Sequence, residues 1–256
     1  MAERTQRTKP ARLETTGLVA GKLSAATGWN LRSYLVVLGG LLMLADLYVI
    51  FMVAPTDSVL GHVQRVFYFH VPIAIISFLA FFVVFVASIA YLIKRDPRWD
   101  SLAHAAAEVG VVFITLVLVT GAIWARPVWG VWWTWEPRLT TSLVLWLIYV
   151  AYLMVRAYAP NRSQGAVYAA AVGIIGFIDV PIVYYSVQWW RSIHPAPVIG
   201  PLAEPAALNG TMQATLLFSL LTFVVVFLYL LLERKALRDA EDQVAEIRSS
   251  MRRGGR

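Results

Sequence analysis

The sequence predicts an all-α membrane protein with six transmembrane helices, both termini cytoplasmic and a tryptophan-rich loop on the extracytoplasmic face. Three observations predict it. Of 256 residues, 59% are hydrophobic and only 14% charged, where a soluble domain carries about 25% charged residues. Six apolar stretches reach or approach the ~20 residues that cross ~30 Å of hydrocarbon. Lysine and arginine are shared unequally between alternate connections.

Residues 1–32 form a polar, basic tail with no apolar core and no small-residue cleavage site. The first apolar span is therefore expected to remain as a signal anchor. The spans run from Ser33 to Val53, Val71 to Ile93, Val109 to Ala125, Leu139 to Val155, Gly165 to Ser186 and Thr211 to Leu232. In hydrocarbon a segment must satisfy its own backbone groups, so these are helices. The alternating segments of an outer-membrane barrel do not occur. Residues 33–232 thus make one six-helix domain, and 233–256 a cytoplasmic tail. In the tail Leu237, Ala240, Val244, Ile247 and Met251 recur at spacings of three and four. That is a short amphipathic helix, suited to the membrane surface or to another helix, and too short to claim a coiled coil.

Orientation follows from the cations. Eighteen lysines and arginines fall on the side of the termini and only Arg65, Arg126, Arg138 and Arg191 on the other, which places the termini in the cytoplasm. The net charge of +7 is thereby explained by membrane flanks, and nucleic acid is not an expected partner. The four outer cations are all arginine, which grips carboxylates in two-pronged fashion. They offer a docking surface for a di-acid, or they are chance. The chain has no cysteine, so it has no thiol nucleophile and no means of thioether attachment; any cofactor is held non-covalently. There is no G-x-x-x-x-G-K-[ST] run, so energy from ATP by that route has to come from a partner.

The segment Trp124-Ala-Arg-Pro-Val-Trp-Gly-Val-Trp-Trp-Thr-Trp-Glu-Pro-Arg138 holds five of the ten tryptophans. An interfacial aromatic belt is the ordinary explanation. A belt spreads its tryptophans over many helix ends, however, and concentration in one connection favours a platform for a flat aromatic ligand. Two histidines share that side among aromatics and arginine: His70 in Arg65-Val-Phe-Tyr-Phe-His-Val-Pro72, with Pro72 in the first turn of helix two, and His194 in Gln188-Trp-Trp-Arg-Ser-Ile-His-Pro195. An isolated interfacial histidine is more often a surface residue. A pair on one face suits the two axial positions of haem iron. His62, in polar surroundings, and His104, on the cytoplasmic side, read as structural. Asp46, Glu108 and Asp179 lie in or near apolar spans, where acids are costly and functional by default. Glu108 is near enough to the boundary to be solvated, Asp46 has no evident partner, and Asp179 precedes Pro181, which frees a carbonyl and kinks its helix.

The run Trp129-Gly-Val-Trp-Trp-Thr-Trp-Glu136 resembles the WGxxWxWD signature of haem-handling proteins in cytochrome c biogenesis. The resemblance is closest to the CcmC family, haem exporter protein C. It covers most of the chain, including Arg65 to Pro72, Trp129 to Thr141 and Pro181 to His194. It implies a multi-pass inner-membrane protein, not itself an enzyme, that binds haem b non-covalently on the extracytoplasmic side and presents it to a CcmE-like haem chaperone. A CcmD-like small membrane protein and a CcmA–CcmB-like ABC transporter are the further implied partners, besides the bilayer. His70 and His194 match the axial-ligand positions. Trp129, Gly130, Trp133 and Trp135 match the fixed places of the signature, with Trp132 between them. Arg65, Arg126, Arg138 and Arg191 are the candidates for the propionates. Glu136 stands where the signature ends in Asp, keeping the charge on an arm one methylene longer.

Two rival functions use other residues. A transporter working through the helix bundle would rely on Asp46 and Asp179. A b-type cytochrome passing electrons to quinone needs histidines at two depths of the bilayer, and no histidine lies in mid-span.

Overall fold

The computed structural model describes residues 29–203 and 208–254; the expected basic tail falls outside them except for its last four residues. Among the described residues all regular structure is helical, apart from an isolated Asp57–Gly61 bridge. Its helices are α1 (Leu31–Tyr48, prolonged by a π-helical turn Val49–Val53), α2 (Phe67–Lys94, entered through a 3-10 turn His62–Val66), α3 (Pro97–Trp129), α4 (Pro137–Tyr158), α5 (Arg162–Gly176), α6 (Asp179–Trp189) and α7 (Gly210–Gly254). Six candidate spans are long and apolar enough to cross a membrane, with α5 and α6 together forming the fifth.

Local chemistry sets the helix ends. Side chains of Asn30, Asp96, Glu136, Asn161 and Asn209 each accept a backbone N–H two or three residues on, satisfying donors the first turn leaves unpaired. Pro97 and Pro137 occupy the first helical position, where no N–H is needed. The connection between α2 and α3 is two residues, with Arg95 left-handed at φ 56°.

These caps extend the spans beyond their hydropathy limits. Helix two begins before His70, so Pro72 lies inside it and not in its first turn. Helix three runs on through Trp124 to Trp129, so half of the tryptophan segment is helix and the connecting loop is only Gly130 to Glu136. The final helix does not break after Leu232 but continues as a 45-residue rod. Pro181 acts as expected: Val180 N–H takes the Phe177 carbonyl at 3.1 Å, and the helix breaks between α5 and α6.

The α2–α3 pair forms the centre of the bundle, with α7 and then α1 on one flank and α4, α5 and α6 on the other. Since lipid is as apolar as a helix face, packing and polar ties hold such helices together. Phe81 stacks on Tyr149 with centroids 3.6 Å apart. Asp46, without an evident partner in sequence, is fully buried and accepts from Ser219 Oγ at 2.7 Å, joining α1 to α7. At the end of the bundle carrying the α2–α3 and α4–α5 turns, Arg156 pairs with Asp100. Glu108 there keeps partial solvent exposure, as expected near the boundary, and is also clamped by Arg234 and His104. His104 thus pairs with Glu108, and these two ion-pair clusters lie at the end of the bundle opposite the one described next.

Candidate functional site

At the other end α2, α3, α4 and α6 splay around a cavity of about 260 Å³, roofed by the loop after α6. His70 reaches it from the second helical turn of α2, His194 from the loop, Arg138 from the start of α4, and Trp129 and Trp133 from either side of Gly130. Most of the remaining lining is apolar, including Val71, Phe78, Val117, Leu139 and Ile199.

His70 is buried, and its Nδ1 lies 2.9 Å from Thr120 Oγ1. The Thr120 hydroxyl donates its own proton to the Leu116 carbonyl at 2.7 Å, so it has only a lone pair to offer the ring. His70 therefore carries its proton on Nδ1 and leaves the Nε2 lone pair free, the arrangement a metal-binding imidazole requires. Gly121 makes this possible: a Cβ there would come within 3.1 Å of His70 Cε1. Trp124 packs edge-on to the same ring at 5.8 Å.

His194 sits edge-on to Trp129 at 6.1 Å. Its Nδ1 is 3.2 Å from Arg138 Nη1 and 3.1 Å from the Pro195 carbonyl. Burial and then the neighbouring Arg138 cation push its pKa down to about 4, so it is a neutral imidazole at pH 7. Arg138 also donates to the Val183 and Tyr184 carbonyls, and among the described residues it has no ion-pair partner. Glu136 joins the pieces. One carboxylate oxygen caps α4 at Leu139 N–H, 2.8 Å away. The other accepts from the Ser192 hydroxyl, whose oxygen in turn accepts from His194 N–H at 3.1 Å. Tyr184 ties down the far part of the loop, donating to the Ile199 carbonyl and accepting from Leu202 N–H.

The expected site thus divides. His70, His194, Trp129, Trp133 and Arg138 come together. Trp132 and Trp135 do not line the cavity and are 59% and 75% exposed. Gly130 is the left-handed end of α3, at φ 77°, where a side chain would be strained. Of the four arginines only Arg138 reaches the cavity. Arg65 lies over Phe51 at 5.7 Å, Arg126 donates to the Gly130 carbonyl, and Arg191 is exposed. Asp46 and Asp179 do not line it either. Thr120, Gly121, Ser192 and Tyr184 were not singled out in the sequence; Ser and Thr near a histidine are too common to be a signal.

This donor set fits a flat, largely apolar ligand with a metal at its centre and an anionic edge. Two imidazoles border one space, as does a guanidinium with no ion-pair partner among the described residues, and the indole N–H groups of Trp124 and Trp133 are buried with no hydrogen-bond acceptor among the described residues.

Known proteins bear on this geometry. The chain is 35% identical to heme exporter protein C of Bradyrhizobium diazoefficiens, over 69% of this chain and 67% of that protein. It is 33% identical to heme exporter protein C of Haemophilus influenzae, over 71% and 73%, and 34% identical to that of Escherichia coli K12, over 71% and 72%. The model of the family described as CcmC, heme exporter protein C, matches residues 18–249, which take in α1 to α6, all but the last five residues of α7 and both histidines of the cavity. With the family model matching most of the chain, identity of 33–35% over about 70% of it, and six helices long and apolar enough to cross a membrane, the chain belongs to the heme exporter protein C (CcmC) family.

Proposed function

We propose that this chain binds haem b non-covalently in the cavity, with His70 and His194 as its axial ligands, and hands it to a CcmE-like haem chaperone. Family membership makes it a multi-pass inner-membrane protein concerned with haem handling in cytochrome c biogenesis. The observation that carries the finer reading is the convergence of two histidines, far apart in sequence, on one aromatic-walled cavity beside Arg138. Neutral imidazole suits haem iron, tryptophan faces suit a macrocycle and guanidinium suits a propionate. The role is that of a carrier: the cavity holds and orients, and two ligands from separate elements allow one bond to open while the other holds. A CcmD-like small membrane protein and a CcmA–CcmB-like ABC transporter complete the proposed partners.

The cavity end faces the extracytoplasmic side in this reading, because only four arginines fall there against eighteen cations on the other. Single cysteines at Val131 and Ser250 test it in a cysteine-free chain: an impermeant thiol reagent applied outside labels only Val131→Cys, and labelling of both refutes the topology. The ligand assignment is tested by visible spectroscopy of purified His70→Gly and His194→Gly. Each loses the bis-histidine spectrum and regains part of it with added imidazole. A variant that keeps the spectrum unaided removes its residue from the site.

A further inference from the structure

We propose that Arg138 gates His194, holding its Nδ1 lone pair and so keeping the ring from ligating metal until an anionic group of the cargo draws the guanidinium away. This rests on the haem-binding reading above and adds to it a coupling between the carboxylate site and one axial ligand.

The inference comes from a conflict at one atom. His194 Nδ1 lies 3.2 Å from Arg138 Nη1 and 3.1 Å from the Pro195 carbonyl oxygen. A guanidinium only donates and a carbonyl only accepts, so one nitrogen cannot serve both. If Nδ1 offers its lone pair to Arg138, the proton of the neutral ring sits on Nε2. If Nδ1–H donates to Pro195, Nε2 carries the lone pair. Nδ1 faces protein groups in either case, so ligation falls to Nε2 and only the second form can ligate. The charged donor is the stronger partner and favours the first form. His70 contrasts with this. Among the described residues its Nδ1 meets the Thr120 oxygen, whose proton goes to Leu116, and this arrangement favours the ligating form.

Arg138 is placed to be drawn off. It borders the same cavity as His194, and its other acceptors are the neutral carbonyls of Val183 and Tyr184. Arg138 can gain a two-pronged, charge-assisted contact by turning to an incoming carboxylate, and in doing so it leaves Nδ1 to Pro195. His70 then ligates first and His194 only after the acidic edge is captured. In release the order reverses: Arg138 returns to Nδ1 once the carboxylate leaves.

The test uses the full-length protein in detergent, loaded to saturation with ferric haem b or with its dimethyl ester, whose carboxyls are masked. Axial ligation is read from visible and electron paramagnetic resonance spectra. Wild type holds haem b by two histidines and the ester by His70 alone. In Arg138→Met the ester recovers His194 ligation, its two-histidine to one-histidine ratio rising roughly tenfold, about 1.4 kcal/mol. An ester held by both histidines in wild type, or a ratio unchanged in Arg138→Met, overturns the gate while leaving haem binding intact. If haem b itself is bound without either histidine, the haem-binding reading and the gate fall together. Nitrogen-15 NMR of the ligand-free wild type supplies an arm independent of any variant: the His194 proton is expected on Nε2, and finding it on Nδ1 refutes the proposal.

Discussion

Replacing Glu136 by alanine removes two connections at once. The carboxylate caps α4 through Leu139 N–H, and loss of a cap costs about 1 kcal/mol. It also receives the Ser192 hydroxyl, which supports the His194 backbone. A hydrogen bond to a charged group is worth about 1.5–3 kcal/mol, and the partial solvent access of this one argues for the low end. The two contacts sit on different segments and are separable by arm length. In hydrogen exchange followed by mass spectrometry, the alanine variant should open both the start of α4 and the 190–196 loop. About 1 kcal/mol at the start of α4 corresponds to roughly 5-fold faster exchange there, and about 1.5 kcal/mol in the loop to roughly 12-fold. Glu136→Asp should keep the cap, since aspartate caps well, but the arm is one methylene short of Ser192, so only the loop should open. Glu136→Gln keeps one acceptor oxygen and gives up the charge, and should fall between wild type and alanine. Unchanged protection of both segments in the alanine variant, or an unaffected loop in the aspartate variant, would show that Glu136 does not hold the histidine loop.

Gly121→Val should push the His70 ring aside, because even a Cβ would stand 3.1 Å from Cε1; the spectrum should lose His70 ligation and keep that of His194. Asp100→Leu should lower stability by about 3–5 kcal/mol, since it strands Arg156 in a pair whose side chains are 4% and 6% exposed. Thermal unfolding reads this, and ligation at the distant cavity should not change. Acidification should loosen the ligand-free loop. His194 is held down to about 4 in the folded protein against 6.5 unfolded, so the unfolded chain binds the extra proton and stability falls as pH drops from 6.5 toward 4. The loop's opening equilibrium, taken from exchange corrected for the intrinsic pH dependence of amide exchange, should rise over that window in wild type and stay flat in His194→Gln.

The membrane architecture was legible in the sequence because hydrocarbon enforces it: a span must be apolar, long and helical. The number of spans, the Pro181 break and the tryptophan motif all follow from local composition. His70 and His194 were also legible, but only as two histidines in aromatic surroundings on one side. Helix ends were less so, because hydropathy stops at the first polar residue whereas a helix stops where its caps are, as Asp96 and Gly130 do for α3. What only the tertiary structure decided is which side chains share a space and in what chemical form. Arg138 borders the cavity while Arg65, Arg126 and Arg191 do not, a distinction among four arginines that charge counting cannot make. Asp46 has its partner in Ser219, on a helix remote in sequence. The proton of His70 is set by a threonine on α3 and the place of His194 by a carboxylate that also starts α4. Apolar patterning acts through the solvent and is written along the chain, whereas hydrogen bonds depend on distance and direction between segments that only folding brings together.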